Sequence, residues 1–518
     1  MAKKNKLSIY LLKKGIFLKE DIFKNPGEIK ELEKYGENSI AYFRKSNVYE
    51  PSWLATFFLK DEVEDICQAN SRVVLIKKIT IDNEEITFAL TFGYAKSLFK
   101  DNVLEEQFGL KIILNTIKQN EIRKISKTSV GTNQKQSNEQ LPKSSSISEF
   151  GFDINRDLIK NISGKSEDEM FESSMLTGGD IFSLTVNRDI QDIDDFLVYC
   201  YRRYKDDSYL DSFKWVDNIK YIRDKDLISS LNLKLIEEIN SKKFMQVWMA
   251  VPDVIDWVDI KGFKIQGDDS LYGDIEIEKV IATIRKALTS VEQLKSKKIR
   301  AISSMDDSEV IHEWSAFNCI IAEISVDGYE YCLSNGKWYK INSDFVKEIS
   351  NKYDEIELLE DKFIDFNHQN EDEYNEELVE NLDGAVLLHK VKISTGGQGE
   401  SIEPCDVFWK NKIIHIKKNG GSSLLSHLFN QALVSSQMWL DVDLRKQLIS
   451  KANKRGFKLY IPDKFVAGEY EIVIAIINDF HDERPKIPFF SKVSICYAIK
   501  NILGFGFKVS LKNIRNLK

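Results

Sequence analysis

No Cys-x-x-Cys pair occurs in these 518 residues, and the six cysteines (Cys67, Cys200, Cys319, Cys332, Cys405, Cys496) stand far apart. That scatter excludes a cysteine zinc cluster and a disulfide framework, and it suits a reducing compartment. No stretch approaches the roughly 20 apolar residues that span a bilayer, so no membrane partner is expected. The opening Met1-Ala2-Lys3-Lys4-Asn5-Lys6 is basic, but the apolar run from Leu7 to Leu12 is too short for a secretory signal core and leads into Lys13 and Lys14. It reads as a first strand, and a cytoplasmic location is expected. Also missing are a Gly-x-Ser-x-Gly elbow, a His-Glu-x-x-His helix and a dinucleotide fingerprint. Gly164-Lys165-Ser166 ends like a phosphate-binding loop, but Ile159 stands where the leading glycine is required. Nucleotide hydrolysis by that route is excluded.

What is present suits a folded protein of ordinary composition. Hydrophobic residues make up 42% and charged residues 30%, enough apolar material to bury real cores. The length calls for two or three domains. The net charge of −8 hides an asymmetry. Residues 353–383 are acidic, whereas from Asp406 onward 19 Lys/Arg face 9 Asp/Glu, a basic bias that favours a polyanionic partner or a merely solvated face.

The expected class is α/β, with α+β character spread over several domains. Residues 1–126 read as a mixed α/β domain, with strands at Leu7–Leu12, Arg72–Ile76 and Ile86–Phe92 and helical spacing over Val103–Leu114. Residues 127–148, poor in apolar side chains and rich in Ser, Asn, Gln and Lys, read as a linker or long loop. Residues 149–350 form a middle α/β domain with helices at Asp226–Ile239 and Glu276–Leu288. Asn335-Gly336, between two strand-like runs, predicts a type I′ hairpin, because both central positions of that turn need positive φ. The tryptophans Trp248, Trp257, Trp314 and Trp338 sit among apolar residues and read as core side chains.

Residues 351–518 are the most legible part. The pattern there is an acidic helix at Glu371–Leu382, a strand at Ala385–Ile393 and a Gly-rich loop at Ser394–Gly399. Strands at Cys405–Trp409 and Ile413–Lys417 follow, then a helix at Ser423–Trp439. A strand at Glu471–Ile477, a helix at Ser491–Leu503 and a last strand at Phe507–Leu511 complete it. Asp406 follows Glu403-Pro404-Cys405, and nine residues later comes His415-Ile416-Lys417. Strand side chains alternate faces, so His415 and Lys417 share one, and a hairpin partner brings Asp406 beside them. A carboxylate, an imidazole and an ammonium then converge. The competing reading makes His415 a hydrogen-bonded core histidine and Asp406 a turn residue.

The pattern resembles the PD-(D/E)xK nuclease motif, with histidine in place of the second acidic residue. The resemblance implies a restriction-endonuclease-like mixed sheet flanked by helices. It also implies a divalent metal, Mg²⁺ or Mn²⁺, held by Asp406, His415 and a glutamate of the preceding helix, Glu376 (or its neighbour Glu377). Lys417 would offset charge on the phosphate. Histidine is a poorer ligand for Mg²⁺ than for Mn²⁺, so a softer metal, a metal-free base or a binding-only site all stay open. Lys418, Ser423, His427, Gln431 and Lys410 are the expected nucleic-acid contacts. Ser423, His427 and Gln431 share one face of their helix, and Lys418 precedes the helix N-terminus, a phosphate seat.

Further passages widen the resemblance: Phe88-Ala89-Leu90-Thr91-Phe92-Gly93-Tyr94, Phe108-Gly109-Leu110, Gly336-Lys337-Trp338-Tyr339, Tyr374-Asn375-Glu376, Leu425-Ser426-His427-Leu428-Phe429 and Pro488-Phe489-Phe490-Ser491-Lys492. With the site motif they are similar to an uncharacterised, sporadically distributed bacterial family found near mobile elements and phage-defence genes, in which His-x-Lys is a shared feature. The expectation is an antiphage-defence nuclease hydrolysing DNA or RNA. The alternatives are an inactive nucleic-acid-binding sensor on the same fold and a defence-complex assembly protein whose acidic segment covers the basic domain. Expected partners are nucleic acid and, beyond it, a second copy of the chain or a defence partner protein.

Overall fold

The computed structural model describes residues 4–517 except 33–37, 46–47, 51–53, 55–57, 59–65, 68, 101–102, 130–135, 143–149, 151–156, 173, 189–191, 243, 245, 254, 285–286, 306–308, 395–400, 420–421 and 481. It is a mixed α+β protein. Residues up to 128 together with 136–216 form one compact unit, and Asp217–Lys518 belong to a second.

The first unit is built on one long sheet. Its strands are β1 (Asn5–Leu11), β2 (Ile29–Glu31), β3 (Ser39–Arg44), β4 (Arg72–Ile81), β5 (Glu84–Gly93), β6 (Ile122–Ser129), β7 (Gln136–Gln140), β8 (Asp157–Lys165), β9 (Met175–Gly178) and β10 (Phe182–Val186). They lie in the order β2-β3-β4-β5-β1-β10-β9-β8-β6-β7. Alternation along β1 sends Leu7, Ile9 and Leu11 into one core and Tyr10 into another, so both faces are covered. Helices α1 (Phe108–Leu114) and α2 (Ile193–Lys205) supply the first of these cores with Phe108, Ile112, Phe196 and Leu197. Helical spacing over Val103–Leu114 is realised only from Phe108 onward.

Two boundaries drawn from composition fall elsewhere. The polar stretch 127–148 contains β7, which pairs with β6 from Lys124↔Gln140 to Thr128↔Gln136. β7 is an edge strand, and an edge is where polar side chains are tolerated and unwanted pairing is resisted. Beyond it, β8 to β10 complete the same sheet, so the first unit runs on well past residue 149.

The second unit opens with two antiparallel sheets. β11 (Ile219–Tyr221), β12 (Val247–Met249), β16 (Ile320–Val326), β17 (Tyr329–Ser334) and β18 (Lys337–Ile341) form one in the order β11-β18-β17-β16-β12. The smaller contains β13 (Ile260–Ile265), β14 (Lys298–Ser303) and β15 (Val310–Ser315). Asn335 and Gly336 join β17 to β18 with φ of 50° and 67°, the turn that the sequence predicts. Trp314 and Trp338 are buried, but Trp257 is 59% exposed. Helix α3 (Lys225–Asn240) follows the predicted spacing and α4 (Ser343–Asp354) adds a helix after β18, whereas among the described residues of the stretch 276–288 only Ile277–Ala282 is helical.

From residue 371 the order is α5 (Glu371–Asn381), β19 (Val386–Leu387), β20 (Ile393–Ser394), β21 (Ser401–Ile402), β22 (Val407–Trp409), β23 (Lys412–Lys418), α6 (Ser422–Leu440), α7 (Val442–Lys454), β24 (Glu471–Asn478), α8 (Phe489–Gly504) and β25 (Lys508–Arg515). A mixed sheet runs β19-β22-β23-β24-β25, antiparallel up to β23 and parallel from β23 to β25. The parallel steps need crossovers, which α6 with α7 and then α8 provide. β24, covered on both faces, is apolar from Ile472 to Ile477. On one face Ile414 and Ile416 pack with Tyr374 and Leu378 of α5; on the other, Ile413 packs with Leu425 and Leu428 of α6. Among the described residues, no helix is long and apolar enough to cross a membrane.

Candidate active site

The β22–β23 hairpin turns at Lys410 and Asn411, both at positive φ (46° and 60°). Asp406 lies one residue ahead of β22, opposite His415 if the Val407↔Ile414 register is extended. Its amide donates to the Ile414 carbonyl at 2.9 Å, as a ladder residue would. Its carbonyl is turned away and accepts from the amides of Leu388 and His389, each at 2.9 Å. The next ladder donor, the Ile416 amide, is therefore met by the Asp406 carboxylate, Oδ2 at 2.7 Å. The side chain is held at the hairpin's open end, at the carboxyl end of β23.

His389 sits against it. Its Nδ1 is 2.9 Å from Asp406 Oδ1 and 3.4 Å from Glu403 Oε1. Its Nε2 lies 2.7 Å from Asp372 Oδ1, close enough for an ion contact but without the alignment of a hydrogen bond. The hydrogen bond to Asp406 holds the His389 pKa above the usual imidazole value, against the opposing effect of burial, and the charges of Asp406, Glu403 and Asp372 add to it. Asp372 is held below the usual carboxylate range, first by Lys390, whose amine it binds, and then by His389. The Lys390 amide donates to the Glu403 carboxylate.

Helix α5 brings the remaining groups. Asn370 caps its N-terminus, accepting from the Glu373 amide at 3.0 Å, while Glu373 accepts in return from the Gln369 amide at 3.2 Å. Acidic Glu371, Asp372 and Glu373 fill the first turn, where the helix dipole favours them. Glu371 Oε2 pairs with Lys417 Nζ at 2.8 Å, and Oε1 accepts from the Lys418 amide at 2.9 Å. The site is thus built by the start of α5, the strap 388–390, the approach 403–406 and the end of β23.

The sequence-derived residues divide. Asp406 and Lys417 are brought to this place. His415 is not: it is 2% exposed, and its Nε2 lies 3.1 Å from Ser435 Oγ on α6. Ser435 in turn donates to the Pro404 carbonyl at 2.5 Å. Burial pushes the His415 pKa down to about 4, only partly offset by the Asp406 charge. That geometry is the core-histidine alternative, and it takes His415 out of the ligand set. Glu376 is exposed, and Glu377 pairs with His368 at 2.5 Å. Neither has the helical phase to face the sheet; Glu371, four residues before buried Asn375 and seven before Leu378, does. Lys410 stands at the opposite end of β23, about 20 Å away at strand rise, with its amine 4.3 Å from the Trp409 ring. Lys418 contributes its amide, its amine lying 5.4 Å from the Phe366 ring. His427 is exposed and Gln431 half-buried on α6, and among the described residues no contact ties either to the cluster. The side chain of Ser423 and most of the Gly-rich loop lie outside the described residues.

His389, Glu403, Glu371 and Asp372 were missed as site residues. Glu403 was in plain view beside Pro404, and the helical phase of α5 singles out Glu371. His389, inside an apolar run, carries no local signal.

One imidazole and two carboxylates can hold a cation here. Ligand atoms of His389, Glu403 and Asp406 all lie within 4.8 Å of one another, and each residue is half-buried. Mixed nitrogen and oxygen donors suit Mn²⁺, Fe²⁺ or Zn²⁺ better than Mg²⁺. Neither the curated proteins nor the solved structures yield a match to the chain. A family described only as "Family of unknown function (DUF6119)" matches residues 7–515, and the chain belongs to it.

Proposed function

We propose that the second unit is a divalent-metal-dependent phosphodiesterase of DNA or RNA, acting in antiphage defence. The observation that supports it best is the cluster itself: three ligand side chains within 4.8 Å of one another, beside the end of β23, where Ile416, whose amide binds Asp406, is followed directly by Lys417, held by Glu371. A Mn²⁺ or Mg²⁺ ion held by His389, Glu403 and Asp406 would polarise a phosphoryl oxygen and lower the pKa of a bound water. Lys417, aligned by Glu371, offsets negative charge growing on the phosphate. Asp372 lies by charge against the far side of the His389 ring, Oδ1 2.7 Å from Nε2, while Nδ1 faces the two carboxylates. The defence setting rests on the resemblance in the sequence and on nothing in the site.

The test uses purified full-length protein with short DNA and RNA, single- and double-stranded, in Mn²⁺, Mg²⁺ or EDTA. Cleavage is expected in Mn²⁺ and lost by about 100-fold or more in Asp406→Asn and Lys417→Ala, the scale of removing one electrostatic group from such a site. Glu376→Gln keeps full activity. A wild type that cuts no nucleic acid with any divalent ion sinks the enzyme reading.

One observation favours a second reading. The ion pairs Lys417–Glu371 and His389–Asp372–Lys390 already close the network through protein groups alone. A nucleic-acid-binding protein without turnover fits that closure, and it is what binding without cleavage would indicate.

A further inference from the structure

Helix α7 and the chain that leaves it carry a strong local charge that the cluster does not use. Between residues 444 and 464 there are seven cations (Arg445, Lys446, Lys451, Lys454, Arg455, Lys458 and Lys464) against one acid, Asp463. Two of them are engaged with the backbone of the strap that bears His389. Arg455 donates to the carbonyls of His389 and Lys390 at 3.3 and 3.0 Å, and Lys451 donates to that of Lys392. Arg445 is buried, donating to the Trp439 carbonyl at 2.7 Å. The other four, Lys446, Lys454, Lys458 and Lys464, are exposed and meet no carboxylate among the described residues.

Shape and an aromatic ring accompany the charge. An open groove runs along α7, lined by Lys446, Ile449, Ser450, Asn453 and Lys454. Lys446, Ser450 and Lys454 are spaced by four, so they form one row about 12 Å long at helical rise. Past the helix end, Tyr460 is 82% exposed, between Lys458 and Lys464. A tyrosine that open to water buries little of its ring in the fold. A flexible strand with unstacked bases can use both features, cations for the backbone and a ring for a base.

We propose that this face of α7, with the segment 455–464, is a docking surface for single-stranded nucleic acid. It leads the strand past the strap of His389 and so deepens the phosphodiesterase reading, on which its placement rests. The bland alternative, a solvated basic face, predicts no sequence of contacts and no part for Tyr460.

The test is anisotropy with a fluorescent single-stranded 20-mer, in EDTA, on the full-length Asp406→Asn protein, so that cleavage does not enter. For single strands the log–log salt slope is about −0.7 per phosphate contact, so four lysines give a slope near −3. Joint reversal of Lys446→Glu, Lys454→Glu and Lys458→Glu is expected to reduce that slope by about 2. Tyr460→Ala is expected to weaken binding about tenfold with the slope unchanged, because stacking is not ionic. Thermal melting checks that each variant folds. Unchanged binding in the folded reversal variant overturns the surface. A duplex bound as tightly as the single strand, or a neutral effect of Tyr460→Ala, overturns its assignment to single strands, and so does binding of an acidic peptide with equal affinity. Salt-sensitive binding that needs these lysines supports the surface even where the wild type cuts nothing, so the two proposals fail separately.

Discussion

His415 shows how far a residue's chemistry is set by which side of a sheet it occupies. Its place in His-x-Lys invites a ligand role, yet the strand turns it towards Ser435 and the core under α6. A buried neutral imidazole has a pH consequence of definite sign. The folded pKa of about 4 lies below the unfolded value of 6.5. Between these values the unfolded chain binds the extra proton, so stability rises with pH through the window and is lost as pH falls from 6.5 to 4. The gap of about 2.5 units corresponds to about 3 kcal/mol. His389 has the opposite sign, since its raised pKa adds stability below 6.5 that fades as pH climbs through the folded value. Comparing wild type with His415→Leu cancels that second contribution. In urea melts at pH 7, 5.5 and 4, wild type is expected to lose about 3 kcal/mol relative to the variant; a difference that stays flat with pH means His415 is not buried and neutral. Asn375 offers a companion test. It is fully buried on α5, and neither atom of its carboxamide has a partner among the described residues. If it serves the fold alone, Asn375→Leu raises stability by about 1 kcal/mol, read in the same melts. What the sequence showed at this scale was residue type and strand phase. Asp406 and Lys417 followed from those, whereas His389 became visible only once the strap 388–390 folded back onto Asp406.

At the scale of elements, turns were the most legible features, because the chain meets a hard steric rule there. Asn335-Gly336 was readable because both positions tolerate positive φ. Asp82-Asn83 and Lys410-Asn411 adopt the same geometry, φ 50° and 64° and φ 46° and 60°, with less permissive residues. Short strands such as β19 and β20 were not legible, because an apolar run at 385–393 does not reveal where pairing stops. A close approach between elements is also invisible in one dimension. Helix α1 rests on β9 and β10 through two glycines. A Cβ at Gly109 would stand 2.0 Å from the Ile181 carbonyl oxygen, and one at Gly178 the same distance from the Gly109 oxygen. The start of α1 is fixed as well, by Gln107 N to Asp180 Oδ1 at 2.9 Å and Leu110 N to the Gly179 carbonyl at 2.8 Å. Backbone oxygen cannot swing aside as a side chain does. Gly109→Ala is therefore expected to destabilise by about 1–3 kcal/mol or more, the range for overfilling a packed interior. Gly27→Ala, whose Cβ would meet nothing within 4 Å, serves as the neutral control. Equal melting temperatures for the two variants would mean that α1 does not lie this close to the sheet.

Over the whole chain, composition separated the acidic and basic stretches but misplaced the seams, because sheets are assembled from strands distant in sequence. The boundary read at 350/351 falls inside α4, which the second unit keeps whole. Side chains on the two sides of that cut are packed together. Phe345 meets Phe489 edge to face with ring centroids 5.6 Å apart, and Glu323 Oε2 accepts from the Phe490 amide at 3.2 Å. Lys492 Nζ lies 3.4 Å from Ser350 Oγ. Just beyond the cut, Tyr353 donates to the Pro485 carbonyl at 2.6 Å, and Arg484 donates to the carbonyls of Tyr353, Asp354 and Ile356. A fragment 351–518 would start in mid-helix and leave Phe489 and Phe490, 7% and 1% exposed in the intact unit, without Phe345 and Ile349 over them. Each such side chain is worth about 1.5–3 kcal/mol when buried, a large share of the stability of any domain. A fragment 217–518 keeps these partners, α5 and every residue of the candidate site. Expressed side by side, 217–518 is expected to melt cooperatively and to retain whatever metal-dependent activity the full chain has, and 351–518 to aggregate or bind a hydrophobic dye. If 351–518 proved as stable as the longer piece, the packing of α4 on α8 would contribute nothing, and the mixed sheet β19-β22-β23-β24-β25 would be a domain in its own right.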